Sequence, residues 1–326
     1  MEPRPENIVE KVRLLWTENR QLFMSRLYVG GIGLLIVGWL LAQPAPNSIK
    51  PALKNVTTTN TSTTDYALYE KIVADVLPKE GFRTKIILEN VVPSMVADGV
   101  IDMSKVRALY KNTGGIPTDE MKILTQSSNM PLTIKAENAS WLVNILWPIG
   151  LSNKMAINES SPIAGKDVNN FASTGGWSLG TQENGGAYFN AYPLVPLTSE
   201  QETRVRQIAE STYRPCCDNS TFFQDCNHGS AALALIELGV AQGLPDAEIY
   251  RTLLDFNSFW FPQNYVQLGL YFKALRGIEW KDVDPKVALS KDYSSATGNY
   301  KIQAEVAKIP NLVPPRPTNG GAKCGA

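Results

Sequence analysis

The run LYVGGIGLLIVGWLLA, Leu27 to Ala42, carries no charged side chain across sixteen residues. Such a stretch has no polar face to offer water, so it must be buried in a protein core or in a bilayer. As a helix it rises about 24 Å, slightly less than a hydrocarbon core of about 30 Å. Leu22, Phe23 and Met24, followed by Ser25 and a snorkelling Arg26, make up the difference. Ala42 has the small side chain of a leader cleavage site, but the 26 amphipathic residues before the run are too many for a cleaved leader. The sequence therefore predicts an uncleaved single-pass transmembrane anchor at residues 27–42, with residues 1–26 as an amphipathic cytoplasmic segment.

Orientation follows from the flanking cations. Lys11, Arg13, Arg20 and Arg26 precede the span, and Lys50 and Lys54 are the nearest after it. The excess of basic residues before the span holds the N-terminus in the cytoplasm and places the rest of the chain outside, in a periplasmic or extracellular space. Glycines 30, 31, 33 and 38 would allow two such spans to approach closely, which is compatible with a homodimer or another protein partner.

Residues 43–64 are rich in Pro, Asn and Thr and read as a linker. Sequons at Asn55, Asn60, Asn138, Asn158 and Asn219 fit an outside location, although such tripeptides also arise by chance. Residues 65–309 form the globular part. With 44% apolar and 19% charged residues the chain has the means to build a core. Lys plus Arg equal Asp plus Glu at 31 each, so no basic field marks a nucleic-acid partner.

The fold class expected is mainly α, with a Gly- and aromatic-rich irregular insert. DYALYEKIVADVL after Asp65 has a 3.6-residue apolar stripe. Short helices follow in ENVVPSMVADGVID and DMSKVRALYKN, the second capped by Asp102. NASWLVNILWPIG reads as a helix stopped by Pro148 and Gly150. Residues 151–197 lack a helical period and read as loop with one or two short strands. Thr198 and Gln201 form a capping box that opens the next helix. GSAALALIELGVAQG is nearly all apolar and should be central and buried, ending at Gly243. Two helices with a proline near their start, and a last one in NYKIQAEVAKI, complete the body. Residues 310–326 read as a flexible tail rich in Pro and Gly.

YRPCCDNSTFFQDCNHG, Tyr213 to Gly229, gathers Cys216, Cys217 and Cys226, three of the four cysteines, and His228, the only histidine. Three thiolates and one imidazole can close a tetrahedral shell around zinc, and thiolate-rich sets also suit copper or iron. Adjacent cysteines point apart on extended backbone, so Cys216 and Cys217 share one ion only if the loop turns tightly. The expected metal ligands are Cys216, Cys217, Cys226 and His228.

Two other readings use the same residues. Four cysteines outside the cytoplasm can form two disulfides, making a non-catalytic structural or interaction protein, with His228 an ordinary helix-cap or core residue. Alternatively Cys226, at the start of a helix, is an activated thiol for redox or nucleophilic chemistry. Cys324, on the loose tail, is within reach of the loop. The aromatic run Phe256, Phe259, Trp260 and Phe261 is read as core, with Asn257, Gln263 and Asn264 as caps or outer hydrogen-bond donors to a site. Walker A, GxGxxG, GxSxG and HExxH motifs are absent. A membrane-anchored metal-binding or thiol-redox module is the function these residues point to.

Overall fold

The computed structural model describes residues 66–315, all within one compact unit. The expected anchor at 27–42, the segment before it, the expected linker at 43–64 and Cys324 lie outside the described residues. Among those described, no helix is long and apolar enough to cross a membrane.

The mainly helical class is observed. Helix α1 spans Ala67–Val76, α2 Val91–Ala97, α3 Met103–Tyr110, α4 Thr118–Thr125 and α5 Ala139–Ser152. After the insert come α6 (Ser199–Ser211), α7 (Asn227–Ala241), α8 (Asp246–Trp260) and α9 (Pro262–Arg276). Three shorter helices, α10 (Pro285–Ala288), α11 (Lys291–Ser294) and α12 (Ala296–Val306), close the body. The sole sheet among the described residues pairs β1 (Phe82–Arg83) with β2 (Thr133–Ile134), antiparallel, with Phe82 opposite Ile134.

Helix α7 is the axis of the molecule. Every residue from Gly229 to Val240 is buried, as its all-round apolar character requires. Its most extensive partner is α5, with α6 and α8 on other sides. Helix α5 is also buried on every face from Trp141 to Ser152. It does not stop at Pro148 or Gly150, as the sequence led us to expect, but runs through both. Pro148 lacks the N–H for one rung of the helix, a local cost of about 3 kcal/mol. Burial of the remaining turn against α7 outweighs it. Gly150 continues the helix because of where it sits: a Cβ there would lie 2.0 Å from the Ser230 carbonyl oxygen of α7. The glycine that reads as a stop is the point where two helices touch backbone to backbone.

The capping signals were legible. Thr198 and Gln201 form both halves of the capping box on α6, and the Asp102 carboxylate accepts from the Ser104 and Lys105 amides at the start of α3. Gly243 lies just beyond α7 with φ +72°.

Residues 153–198 differ from expectation. They contain short 3₁₀ turns and one isolated bridge, Asn153 to Tyr192, rather than strands. Nor are their aromatics merely surface dressing. Trp177 and Tyr188 are each 1% exposed. Trp177 Nε1 donates to the Val100 carbonyl oxygen at 2.9 Å, the Tyr188 hydroxyl to that of Gly99 at 2.9 Å, and Trp147 Nε1 to that of Ser173 at 2.7 Å. Large rings bring their own polar handles, so an irregular segment can be fastened without a ladder. Asn158, one of the sequons, is fully buried and donates to the Asn153 carbonyl oxygen and the Asn190 side chain. It cannot carry a glycan in this fold.

Candidate metal centre

The loop between α6 and α7 is built as a closed neck with a rigid lip. At the neck the Thr221 amide donates to the Thr212 carbonyl oxygen at 2.9 Å, and the two threonine hydroxyls pair at 3.0 Å. Asp218 fastens the lip to α12, accepting from the Thr297 amide at 2.8 Å and the Thr297 hydroxyl at 2.7 Å. The Ala296 amide donates to the Cys217 carbonyl oxygen at 2.9 Å. Asp218 is thus a structural tie at a helix start.

The tight turn that adjacent cysteines need is present. The Cys217 amide reaches the Arg214 carbonyl oxygen at 3.5 Å, closing a turn with Pro215 in its second position, where the fixed φ of proline fits. The sulfurs of Cys216, Cys217 and Cys226 consequently all lie within 4.8 Å of one another. Cys216 Sγ and Cys226 Sγ are 3.4 Å apart. All three thiols are free, so the loop is not stapled by a bridge among them.

Arg214, which sequence reasoning did not single out, is the centre of this arrangement. Its residue is 0% exposed. All five guanidinium donors are used: Nε to Cys226 Sγ at 3.1 Å, Nη1 to the carbonyl oxygens of Asn219 and Ser220, and Nη2 to that of Phe223 and to Asp225 Oδ1 at 2.5 Å. Asp225 accepts in turn from the Asn219 side-chain nitrogen, Nδ2 to Oδ2 at 2.7 Å. Burial works against the charge of Arg214, but the negative potential of Cys226, Cys216 and Cys217 more than offsets it and raises the pKa. Gly229 makes the space: a Cβ on it would sit 2.6 Å from Arg214 Nη2. The pointers in the sequence were an arginine two residues from a cysteine pair and a glycine in the first turn of the helix that follows.

Cys226 is the N-cap of α7, its sulfur accepting from the Gly229 amide at 3.4 Å. Thiol hydrogen bonds from Cys216 and Cys217 hold its pKa well below the usual range, and the Arg214 charge adds to this against the opposing effect of burial. Contacts with Cys217 and Cys226, together with burial, push Cys216 up; at Cys217 the contact with Cys216 lowers the pKa, but the contact with Cys226 and burial prevail and raise it to about 11. The thiolate form is thus favoured at Cys226 and disfavoured at Cys216 and Cys217, beside a buried cation.

His228 is not in the group of ligand atoms that converge. Its ring packs against Phe261, with centroids 4.6 Å apart, and against Trp260 at 5.7 Å. Burial lowers its pKa to about 4, more than the Cys226 charge raises it. The expected four-ligand shell is thus three sulfurs, with a neutral imidazole held to one side by an aromatic wall. The run from Phe256 to Phe261 is mainly core, as expected, and Trp260 and Phe261 also supply this wall. Asn257 and Asn264 bond elsewhere, to the Leu253 carbonyl oxygen and the Asn299 side chain.

The class this defines is a mainly helical protein with a loop-borne cluster of three cysteines near enough to hold a metal ion. No protein-family model, curated protein or solved structure matches the chain.

Proposed function

We propose that Cys216, Cys217 and Cys226 bind one divalent thiophilic metal ion, with zinc the leading choice. The observation that carries this reading is the convergence of three sulfurs within 4.8 Å. Thiolates at about 2.3 Å from a common tetrahedral ion lie about 3.8 Å apart, so the cluster is near the required size. Charge favours a divalent ion. A tris-thiolate complex of such an ion carries one negative charge, and the buried Arg214 guanidinium offsets it. Binding releases the thiol protons of Cys216 and Cys217, so affinity rises with pH. A fourth position remains for water or a substrate group, the pattern of metal sites that do chemistry. His228 belongs to the wall beside that position in this reading.

The anchor at 27–42 and the basic residues before it support display of this domain outside the cytoplasm. Metal coordination would there protect three thiols that otherwise oxidise. The 3.4 Å contact between the free thiols of Cys216 and Cys226 supports a second reading, in which an external oxidant takes two electrons and two protons from this pair and joins it as a disulfide when no metal is bound.

Elemental analysis and cobalt substitution of the full chain separate the two. The metal reading expects about one equivalent of metal, a thiolate-to-cobalt absorption band, and at least a tenfold loss of affinity in Cys226→Ser. A chain that takes up no metal under reducing conditions overturns it. An as-isolated mass two hydrogens light, with two cysteines refractory to alkylation until reduced, establishes the disulfide.

A further inference from the structure

A cleft opens between α1, α8 and the segment that follows α9. This depression, of about 750 Å³, is lined by Lys71 and Asp75 of α1, Phe82 of β1, Arg251 and Asp255 of α8, and the segment Glu279 to Lys281. That volume lies in the range of small-molecule sites.

The charged groups around the cleft divide into two sets. One set is satisfied internally: Lys71 bridges Asp75 at 2.6 Å and Glu279 at 2.9 Å, Glu279 also takes Lys273, and Glu248, one helical turn from Arg251, is engaged by Lys85 at 2.9 Å. The other set is not. Asp255 is only 7% exposed, yet among the described residues nothing hydrogen-bonds or ion-pairs with its carboxylate. Arg251 lies one turn earlier on the same helix face, where side chains are neighbours. It does not pair with Asp255. Its Nη2 is drawn instead to the Val283 carbonyl oxygen at 3.2 Å. Lys281, on the rim, has no carboxylate partner either among the described residues.

Two opposite charges that could neutralise each other are thus held apart on the wall of a cavity. A carboxylate that is 7% exposed and unpartnered has lost most of its hydration with nothing in return. Burial, more than the opposing pull of Arg251, raises Asp255 to about 7, and perturbed groups cluster at functional sites. What completes both groups at once is a ligand with an ammonium for Asp255 and a carboxylate for Arg251. Phe82 and Trp280 provide apolar surface for the rest of such a molecule.

We propose that this cleft binds a small zwitterion of the α-amino acid class, its ammonium against Asp255 and its carboxylate against Arg251. The site is separate in residues from the three-cysteine cluster and does not depend on metal there.

Calorimetric titration of the full chain with the common α-amino acids tests this, with ethylamine and acetate as single-charge probes. The expected result is saturable binding of at least one amino acid, and at least tenfold weaker binding of both single-charge probes. Asp255→Asn and Arg251→Met should each lower the affinity at least tenfold while the circular dichroism spectrum is unchanged. Should Arg251→Met fail to fold, Asp255→Asn alone decides, since it is isosteric and relieves a buried charge. Absence of saturable binding by every amino acid overturns the proposal. So does binding that Asp255→Asn leaves unchanged.

Discussion

Glu237 shows how a single side chain can load a fold with pH dependence. It lies in the middle of α7 and is 0% exposed. Neither carboxylate oxygen has a hydrogen-bond partner of good geometry. Burial raises its pKa well above the usual carboxylate range, more than the neighbouring Asn153 side chain lowers it. The folded state therefore holds this proton more tightly than the unfolded chain does. Stability falls as pH rises from the unfolded carboxylate range towards the raised value, because unfolding then releases the proton. Glu237→Gln should melt higher than the parent at pH 8, with the advantage shrinking towards pH 4. Thermal denaturation across that range checks it, and equal melting temperatures at pH 8 would contradict it. The contrast with Arg214 is instructive. Both are ionisable side chains without exposure, but Arg214 has five acceptors around it, one of them the Cys226 sulfur, while Glu237 has only protonation as relief.

At the scale of elements, helix ends and helix crossings obey different rules. The Thr198–Gln201 box is a local device, and Thr198→Ala should cost about 1 kcal/mol by chemical denaturation, with the cysteine cluster intact. The α5–α7 crossing is not local. Gly150→Ala would drive a methyl group into the Ser230 carbonyl, and the neighbour is backbone that cannot swing away. We expect a loss of about 2–3 kcal/mol, typical of overpacking, measured in the same denaturation series. A substitution that helix propensity alone favours by about 1 kcal/mol should thus destabilise the protein. The same reasoning explains which elements the sequence made legible. Capping boxes, the stripe of α1 and the apolar α7 are written in neighbouring residues. The continuation of α5 through Pro148 is not, since what sustains it is a partner helix about eighty residues away in sequence.

Over the whole molecule, the described residues form a helical body around α7, with the three-cysteine loop fastened at both neck and lip. The proposed topology makes a prediction of its own. In intact cells, a membrane-impermeant thiol reagent should label Cys216, the exposed member of the cluster, once metal has been chelated from outside. Labelling seen only after the cells are broken would place the domain in the cytoplasm and refute the outside location. The sulfur cluster itself was largely readable, because all three cysteines fall within eleven residues and adjacent residues in a turn cannot stray far. The role of His228 was not. An imidazole two residues from a cysteine is near in sequence, but on a helix it points where the helix dictates, here towards Trp260 and Phe261.

The sequence by itself determined the helical class, the buried character of α7, the capping of α3 and α6 and the locality of the cysteine cluster. Each depends on residues a few positions apart, whose geometry is set by bond lengths, turn chemistry and the helical period. Only the tertiary structure decided that α5 runs through a proline, that Trp177 and Tyr188 are core, that Arg214 sits beneath the sulfurs, and that Arg251 and Asp255 face one cleft unpaired. Those outcomes depend on which distant surfaces bury each other. Burial energy is collected over the whole molecule, so no short window of residues contains it.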